Sequence, residues 1–293
     1  MKQLVVNYHI TEACNFGCHY CYAAWQKPNG KELFHNVQNA FKLLDELNQL
    51  PRVLGNTNTP MRLNFAGGEP LLYPDKLQQL IEYASQLEME PSIITNASLL
   101  THERLMAMAP YLKVLGISLD SADDTRNRLI GRSDRKGRIL DIDALASMLA
   151  DARRLYPQMT FKMNTVVNKH NCDEDFAVLL DTLKPDKWKV LRMLPVTTHD
   201  LAVTDQQYSH FVSHHQDYAD IMFAEDNNDM RASYLMVDPD GRFFQNDTIT
   251  PGTDYNYSRP ILQQGVRKAL ADIHFDDAKF TARYQTQSEK EAV

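Results

Sequence analysis

The stretch Cys14-Asn15-Phe16-Gly17-Cys18-His19-Tyr20-Cys21 places three of the four cysteines of the 293-residue chain within eight positions. This spacing, directly after an apolar segment at residues 4–10, predicts a metal-binding loop at the end of a strand. A structural zinc site needs a fourth ligand, for which His9, His19 or Cys172 would have to serve. An iron-sulfur cluster held by three thiolates instead leaves one iron open to a small-molecule ligand, and we favour this interpretation.

Short apolar runs alternate with longer amphipathic stretches along most of the chain, which is typical of βα units around a parallel sheet. Six strands are predicted, at residues 4–10, 61–66, 92–96, 114–119, 160–167 and 187–194. Six successive right-handed βα units form part of a barrel more readily than they form two domains. We therefore expect an α/β fold, a partial (βα)6 TIM-like barrel over residues 1–226.

The pattern changes after residue 226. Two short apolar segments, residues 233–237 and 242–245, flank the turn sequence Asp238-Pro239-Asp240-Gly241 and predict a hairpin. A short helix is expected at residues 261–273, followed by a disordered polar tail from about residue 285. Residues 227–293 are thus predicted to be a C-terminal extension that closes the site of the barrel.

The composition, 43% hydrophobic and 24% charged, is that of a globular protein. A net charge of −7 argues against broad nucleic acid binding, so no direct nucleic acid partner is expected. The sequence has no apolar run of membrane-spanning length and no secretory signal, which predicts a cytoplasmic protein without membrane attachment. Because no apolar stripe is left over once the barrel is built, we expect a monomer.

A second motif, Asn64-Phe65-Ala66-Gly67-Gly68-Glu69-Pro70, ends the second predicted strand. Carboxyl ends of barrel strands form the active site, so both motifs are expected at the same end. Glycines let a backbone approach a ligand closely, and a polar edge suits an ammonium group. With the cysteine spacing and Tyr20 before the last cysteine, this motif resembles the radical S-adenosylmethionine enzymes.

That resemblance implies two cofactors, a [4Fe-4S] cluster and S-adenosylmethionine. Cys14, Cys18 and Cys21 would hold the cluster, and the methionine end of S-adenosylmethionine would bind its open iron. The residues expected to face S-adenosylmethionine are Gly67, Gly68 and Glu69, with Asn96 and Ser118 as weaker candidates for its ribose and carboxylate.

Alternation along the strands collects polar side chains on one face. They are Asn7, His9, Arg62, Asn64, Ser118, Asp120, Lys162, Asn164 and Lys189. A polar barrel interior is costly to bury unless a polar ligand fills it. Two lysines and an arginine, joined by Arg132 from the basic stretch 126–138, predict a polyanion such as a triphosphate. For any single residue, the alternative is a place at the rim or an ion pair with Asp120 or Glu69.

Six stretches carry a narrower resemblance: residues 7–11, 62–70, 129–132, 162–168, 188–190 and 233–238. In sequence and in order they resemble the viperins, over nearly the whole barrel and the hairpin. Animal viperins begin with an amphipathic membrane helix, whereas this sequence begins at the barrel. We therefore expect a soluble prokaryotic viperin of antiviral defence.

The viperin resemblance implies a lyase reaction. A 5′-deoxyadenosyl radical from S-adenosylmethionine removes the 4′ hydrogen of a ribonucleoside triphosphate, and loss of the 3′ hydroxyl as water gives a 3′-deoxy-3′,4′-didehydro nucleotide. This product terminates RNA chains. CTP, UTP and GTP remain open as substrates, and an electron donor such as flavodoxin or ferredoxin is implied.

Residue roles follow from the same resemblance. The triphosphate would be held by Arg62, Arg132, Lys162 and Lys189, with Asn7 and His9 as further substrate contacts. Asn164 would lie between substrate and cofactor. Tyr234 would be catalytic, donating a hydrogen bond or a proton near the ribose. Arg62 departs from the lysine expected here in animal viperins, which bears on the phosphate pose.

Two alternatives belong to other classes of function. One is a radical S-adenosylmethionine enzyme for another substrate, such as a peptide. Peptide-maturing enzymes usually add cysteines for auxiliary clusters, but only Cys172 follows Cys21 here. The other is a non-catalytic metal-binding module, which predicts a colourless zinc protein and leaves the Gly-Gly-Glu motif unexplained.

Overall fold

The structure, a computed structural model, describes residues 3–22, 32–196, 198–246, 255–276 and 278–281. The strands are β1 Leu4–Thr11, β2 Met61–Gly67, β3 Glu90–Thr95, β4 Val114–Ser118, β5 Thr160–Val167, β6 Lys187–Arg192, β7 Met222–Glu225, β8 Leu235–Val237, β9 Phe243–Gln245 and β10 Asn256–Tyr257. The helices are α1 Val37–Leu47, α2 Leu50–Val53, α3 Pro74–Gln86, α4 His102–Met108, α5 Asp124–Ile130, α6 Ile142–Leu155, α7 Ala177–Leu183, α8 Asp205–His214, α9 Asn227–Met230, α10 Ile261–Gln264 and α11 Val266–Ala271. Short 3-10 turns lie at Leu33–His35, Pro70–Leu72 and Gln216–Tyr218.

One sheet contains all ten strands, in the order β10-β9-β8-β1-β2-β3-β4-β5-β6-β7. Strands β1 to β7 pair in sequence, and every pair is parallel. The predicted α/β partial barrel is confirmed, with one more parallel strand than the six expected. This strand, β7, has only four residues, too few for a periodic pattern to reveal it in the sequence.

The helices pack on the outer face of the sheet through the apolar half of each strand. In β5 and β6, Phe161, Met163 and Trp188 are fully buried in the core. Helix α1 begins after Asn36, whose side chain accepts hydrogen bonds from backbone N–H groups of the first turn. One face of this helix is buried against the same core. The opposite faces of the strands are left to line the interior.

The predicted hairpin is formed by β8 and β9, which pair antiparallel across residues 238–241. Strand β8 also pairs in parallel with β1, so the hairpin continues the barrel sheet beyond β1. Helices α10 and α11 occupy the predicted 261–273 segment, while the predicted tail from residue 285 lies outside the described residues. No helix in the described part of the chain is long and apolar enough to cross a membrane.

Candidate functional site

A cavity of about 300 Å³ opens at the carboxyl ends of the strands. Both sequence motifs reach it. Its wall contains all the predicted site residues except Glu69: Asn7, His9, Cys14, Cys18, Cys21, Arg62, Gly67, Gly68, Asn96, Ser118, Arg132, Lys162, Asn164, Lys189 and Tyr234. The structure therefore brings the thiols, the polar strand residues and the cations together in one space.

The cysteine loop is fixed on one side by the Gly-Gly-Glu motif. The backbone N–H of Gly68 donates to the carbonyl of Thr11 at 2.7 Å, and that of Glu69 donates to the carbonyl of Ala13 at 2.8 Å. A Cβ atom on Gly67 would lie 2.4 Å from the oxygen of Thr11, and one on Gly68 would lie 2.1 Å from that of Ala13. These glycines line the cavity, where they are expected to let a ligand approach closely, and they also admit the close approach of Thr11 at the end of β1 and of Ala13 directly before Cys14.

On its other side the loop is bound to the C-terminal end of α5. Gly17 donates to the carbonyl of Gly131 at 3.2 Å, and His19 donates to that of Ile130 at 3.0 Å. Gly131 has φ +85°, and a Cβ there would lie 2.3 Å from the oxygen of Gly17. Backbone contacts on two sides of the loop thus determine the position of its three thiols.

The three thiols of this loop, Cys14, Cys18 and Cys21, are half-buried. Burial raises the pKa of Cys14 and Cys18, and for Cys18 the guanidinium of Arg132 opposes that rise. A ligand that keeps these sulfurs as thiolates must therefore offset the cost of burying their charge, which a metal centre does.

The spacing of the thiols discriminates between a single metal ion and a cluster. In the described part of the chain, the side chains of Asp175, His214 and His215 form the one set of three metal ligands whose donor atoms all lie within 4.8 Å of one another. The three cysteines do not form such a set. The cysteine sulfurs are spread more widely than this. Thiolates around one zinc ion, each about 2.3 Å from the metal, would lie within about 4 Å of one another. The donor set and its spread fit a larger iron-sulfur cluster.

Glu69 is the predicted site residue that the cavity does not reach. Its carboxylate is 0% exposed and accepts hydrogen bonds from the N–H of Leu71 at 2.9 Å, Thr95 Oγ1 at 2.7 Å and the N–H of Asn96 at 2.8 Å. Burial raises the pKa of this carboxyl, although the three donors oppose the rise. In this position Glu69 joins the ends of β2 and β3, and its side chain does not face the cavity.

Asn96 connects the end of β3 to the cysteine loop. Its amide nitrogen donates to Asn15 Oδ1 at 3.0 Å and lies 3.9 Å from the sulfur of Cys14. Asn15 in turn donates to Ser98 Oγ at 2.8 Å. Asn96 is therefore placed to fix the orientation of Cys14 as well as to contact a ligand in the cavity.

Arg132 lies at the cysteine end of the cavity. Its Nη1 is 3.6 Å from the sulfur of Cys18, its Nε is 3.4 Å from Asp120 Oδ2, and it also donates to the carbonyl of Ser118. Asp120 accepts a further hydrogen bond from the hydroxyl of Tyr20. Arg132 was expected among the phosphate-binding cations, but its contacts are those of the alternative, an ion pair with Asp120. The alternation of side chains along a strand could not predict this ion pair, because Arg132 lies in a loop.

The cationic end of the cavity is formed by Arg62, Lys162, Lys187 and Lys189. Arg62 is only 9% exposed, and its buried Nε has no hydrogen-bond partner among the described residues. Lys162 likewise makes no side-chain hydrogen bond or ion pair within the described ranges. Burial lowers the pKa of Lys162, and the charges of Lys189 and Arg62 lower it further. This end of the cavity thus carries more positive charge than its protein partners neutralise.

Lys187 was missed by the sequence analysis although a signal was present. It shares the parity of Lys189 in β6, and the register pairs it with Lys162. Two strands therefore contribute adjacent lysines to the same wall.

Tyr234, directly before β8, is part of a polar network with Lys189 of β6 and Glu225 of β7. Its hydroxyl donates to Glu225 Oε2 at 2.6 Å and accepts from Lys189 Nζ at 2.6 Å. The Lys189 ammonium is also 2.8 Å from Glu225 Oε1. Sequence reasoning found Tyr234 by motif and missed Glu225, because the strand that carries Glu225 was not predicted.

Asn7 and His9 lie on the β1 wall. Asn7 accepts a hydrogen bond from Asn64 at 2.9 Å and donates to the carbonyl of Leu235 in β8 at 3.5 Å. Burial lowers the pKa of His9 to about 3, so its imidazole is neutral at physiological pH. His9 consequently adds no positive charge to the cavity, and its ring packs edge-on against Phe244.

Comparison with known proteins gives three kinds of match. The profile of the Radical SAM superfamily matches residues 8–183. The S-adenosylmethionine-dependent nucleotide dehydratase of Pseudoalteromonas ulvae is 42% identical over 98% of this chain and 94% of that protein. The S-adenosylmethionine-dependent nucleotide dehydratase RSAD2 of Oncorhynchus mykiss is 31% identical over 95% of this chain and 78% of that protein.

Solved structures match the fold at low sequence identity. Streptococcus suis SuiB bound to S-adenosylmethionine superposes with a TM-score of 0.61 and 15% identity, over 96% of this chain and 67% of SuiB. Coproporphyrinogen III oxidase from Escherichia coli gives a TM-score of 0.55 and 13% identity, over 97% of this chain and 75% of that enzyme. At these identities the structural match supports a shared fold alone.

Proposed function

Since this chain belongs to the radical SAM superfamily, and within it to the family of S-adenosylmethionine-dependent nucleotide dehydratases, we propose that it converts a ribonucleoside triphosphate, CTP, UTP or GTP, to its 3′-deoxy-3′,4′-didehydro analogue. The protein is an enzyme that uses a [4Fe-4S] cluster and S-adenosylmethionine to act on nucleotides. The choice of triphosphate, the position of the reaction on the ribose and a role of the product in antiviral defence belong to the proposal.

The observation that carries the proposal is the division of this cavity into a thiol end and a cationic end. Three thiols and Arg132 lie at one end, and Arg62, Lys162, Lys187 and Lys189 lie at the other. A dense group of cations, of which Arg62 is buried and the three lysines are half-buried, is costly unless an anion of similar charge binds there. A triphosphate meets that requirement, and its ribose would then lie between the phosphates and the thiols.

In the proposed arrangement, Cys14, Cys18 and Cys21 bind the cluster, which when bound supplies the electron that cleaves S-adenosylmethionine to methionine and the 5′-deoxyadenosyl radical. Gly67 and Gly68 lie beside S-adenosylmethionine, and the backbone of Gly68 and Glu69 also holds the end of β1 and the start of the cysteine loop. Asn96, Ser118 and Asn164 are the polar wall residues for S-adenosylmethionine.

The cations at the other end bind and orient the substrate. Arg62 and Lys162, which have no ion-pair partner among the described residues, are the primary phosphate ligands, with Lys187 and Lys189 beside them. The nucleotide loses its 4′ hydrogen atom to the deoxyadenosyl radical. It then takes up one electron and one proton as the 3′ hydroxyl leaves as water, which forms the 3′,4′ double bond. Tyr234 lines the same cavity and is proposed to contact the ribose through its hydroxyl.

A peptide substrate is the alternative within the superfamily, and the wall of the cavity argues against it. In the described part of the chain the one cysteine beyond the loop is Cys172, which is buried after β5 and lies 3.8 Å from the carbonyl oxygen of Lys169. It is not placed with other thiols to hold an auxiliary cluster. A peptide would also leave the cations of the cavity without counter-charge.

The base-binding segment is proposed to lie near residues 197–200 or 251–259, of which residues 197 and 251–254 lie outside the described residues. A flavodoxin or ferredoxin is the proposed electron donor.

The experiment that tests the proposal is anaerobic turnover. The protein is reconstituted with iron and sulfide, and 5′-deoxyadenosine is quantified after adding S-adenosylmethionine, dithionite and one of ATP, GTP, CTP or UTP. We expect one of CTP, UTP or GTP to stimulate deoxyadenosine release and to yield a nucleotide lighter by one water. Unstimulated background release with all four nucleotides would contradict the nucleotide proposal and leave the superfamily assignment standing.

A further inference from the structure

The barrel has an open seam between β7 and β8. These strands are not neighbours in the sheet, because β7 ends its order and β8 pairs with β1 and β9. The side chains of Glu225, the last residue of β7, and Tyr234, directly before β8, nevertheless meet through a 2.6 Å hydrogen bond. A side-chain contact thus links two walls of the cavity where the described sheet offers no backbone pairing.

Glu225 is held rigidly in this position. Its backbone carbonyl accepts from the hydroxyl of Tyr208 at 3.0 Å, and Leu191 of β6 is its register partner. The side chain is buried, with the residue 6% exposed. One oxygen accepts from Tyr234 and the other lies 2.8 Å from Lys189 Nζ. The carboxylate therefore engages two cavity residues at once, each from a different wall.

A role in phosphate binding does not explain this carboxylate. A buried negative charge beside a triphosphate repels it, and it also competes with the phosphates for Lys189. A role in stability explains it poorly as well, because a buried ion pair returns little net stability once desolvation is counted. What the carboxylate does accomplish is a fixed geometry, since Lys189 donates to the tyrosine oxygen while the tyrosine proton is directed to Glu225.

We infer that Glu225 is a positioning residue for turnover, which holds the phenol of Tyr234 and the ammonium of Lys189 as one unit across the open seam. The inference rests on the proposed function, in which Tyr234 contacts the ribose and Lys189 the phosphates. Without the carboxylate, the phenol loses its fixed direction and the substrate is bound in more than one pose. Small displacements of a group near a reacting centre cost turnover far more than they cost binding.

Glu225→Gln tests this by removing the charge at constant size. Nucleotide affinity is expected to stay equal or to increase, because a repelling charge is lost. The yield of dehydrated nucleotide per deoxyadenosine is expected to fall by about tenfold. Affinity is measured by equilibrium dialysis of labelled CTP, UTP and GTP against unreduced protein, and melting temperature is recorded for every variant.

Three further variants separate positioning from general destabilisation. Tyr234→Phe is expected to lower the same yield, and the double variant is expected to be no worse than the poorer single variant, because both remove one interaction. Glu225→Asp keeps the charge on a shorter arm and is expected to restore part of the yield. Asp45→Asn is the matched control, since Asp45 accepts a 2.8 Å hydrogen bond from Tyr83 on the outer surface.

The outcomes are distinguishable. If the wild type gives no dehydrated nucleotide with any triphosphate, the proposed function fails and the inference fails with it. If the wild type is active and Glu225→Gln keeps its yield, only the inference is overturned. It is overturned equally if the effects of Glu225→Gln and Tyr234→Phe multiply, or if nucleotide affinity and yield fall together with the melting temperature.

Discussion

The guanidinium of Arg132 lies 3.6 Å from the sulfur of Cys18, and the same side chain is paired with the buried carboxylate of Asp120. A cation at this distance stabilises negative charge on the sulfur. It therefore also favours an additional electron on a cluster that the sulfur binds.

Replacing Arg132 with methionine is expected to make the cluster harder to reduce. The loss of a hydrogen bond to a charged group, about 1.5–3 kcal/mol, shifts its reduction potential to a more negative value. Redox titration followed by electron paramagnetic resonance measures the shift. A potential equal to that of the wild type would mean that Arg132 acts only through Asp120 and the carbonyl of Ser118.

Cys18→Ala is expected to abolish deoxyadenosine formation and to lower the iron content of the reconstituted protein. Cys172→Ala is the matched control, because Cys172 is buried after β5 and does not line the cavity. It should retain both iron and activity. Normal turnover by Cys18→Ala would remove the assignment of this loop to the cluster.

Gly68→Ala is expected to displace the cysteine loop, because the added Cβ would lie 2.1 Å from the carbonyl oxygen of Ala13. The expected loss is about 1–3 kcal/mol of unfolding free energy, together with weaker iron retention. Gly17→Ala in the same loop has no atom within 4 Å of the new Cβ and serves as the control. Denaturant unfolding and iron analysis of both variants measure the difference, and equal effects would contradict the close-packing argument.

Lys162→Ala is expected to weaken nucleotide binding by about 10–100-fold, the loss of one charge-assisted hydrogen bond to phosphate, while S-adenosylmethionine binding stays near its wild-type value. Equilibrium dialysis with each ligand separates the two affinities. Equal weakening of both would show that the lysine is structural.

Nucleotide binding is expected to be coupled to proton uptake at Lys162. Burial and the charges of Lys189 and Arg62 lower the pKa of this lysine in the free protein, and Glu225 only partly opposes them. A bound triphosphate favours the charged form of Lys162 and raises its pKa again. At a pH between the pKa of the free protein and that of the complex, binding therefore takes up protons, and nucleotide affinity falls as pH rises through this interval. Calorimetry in buffers of different ionisation enthalpy measures the uptake, and Lys162→Met should abolish it.

Deprotonation of Lys162 has the opposite effect on the stability of the free protein: nucleotide affinity falls as pH rises, whereas the unfolding free energy increases. The unfolded chain keeps the lysine protonated to higher pH than the folded chain does, so the lysine contributes to a rise in unfolding free energy as pH increases between the folded and unfolded pKa values. Denaturant unfolding across that range, compared with Lys162→Met, measures this contribution.

The strands of the barrel could be predicted because each combines an apolar outer face with a periodic polar inner face. The register then aligns the polar positions, as in the pairs Asn7 with Asn64 and Asn164 with Lys189. Parity within a strand therefore located most of the cavity wall without any knowledge of the sheet order. The same rule would have located Lys187.

Residues that act through loops or short strands could not be predicted in this way. Glu225 belongs to a four-residue strand with no readable period, and Arg132 reaches Asp120 from a loop. For Glu69, the motif indicates a polar group near the cofactor. Only the fold shows that its carboxylate accepts hydrogen bonds from Thr95 and from the backbone N–H of Asn96.

The backbone contacts on both sides of the cysteine loop have a consequence for assembly of the holoenzyme. Gly68 and Gly131 pack against the loop and the residue before it, and the backbone N–H groups of Gly17, His19 and Glu69 donate the hydrogen bonds that hold it. None of these contacts involves the thiols. We therefore expect these backbone contacts to restrict the loop before the cluster binds, which reduces the entropy lost on insertion of the cluster. Metal-free protein should accordingly be a competent acceptor for a preformed cluster, and its stability should depend only weakly on iron.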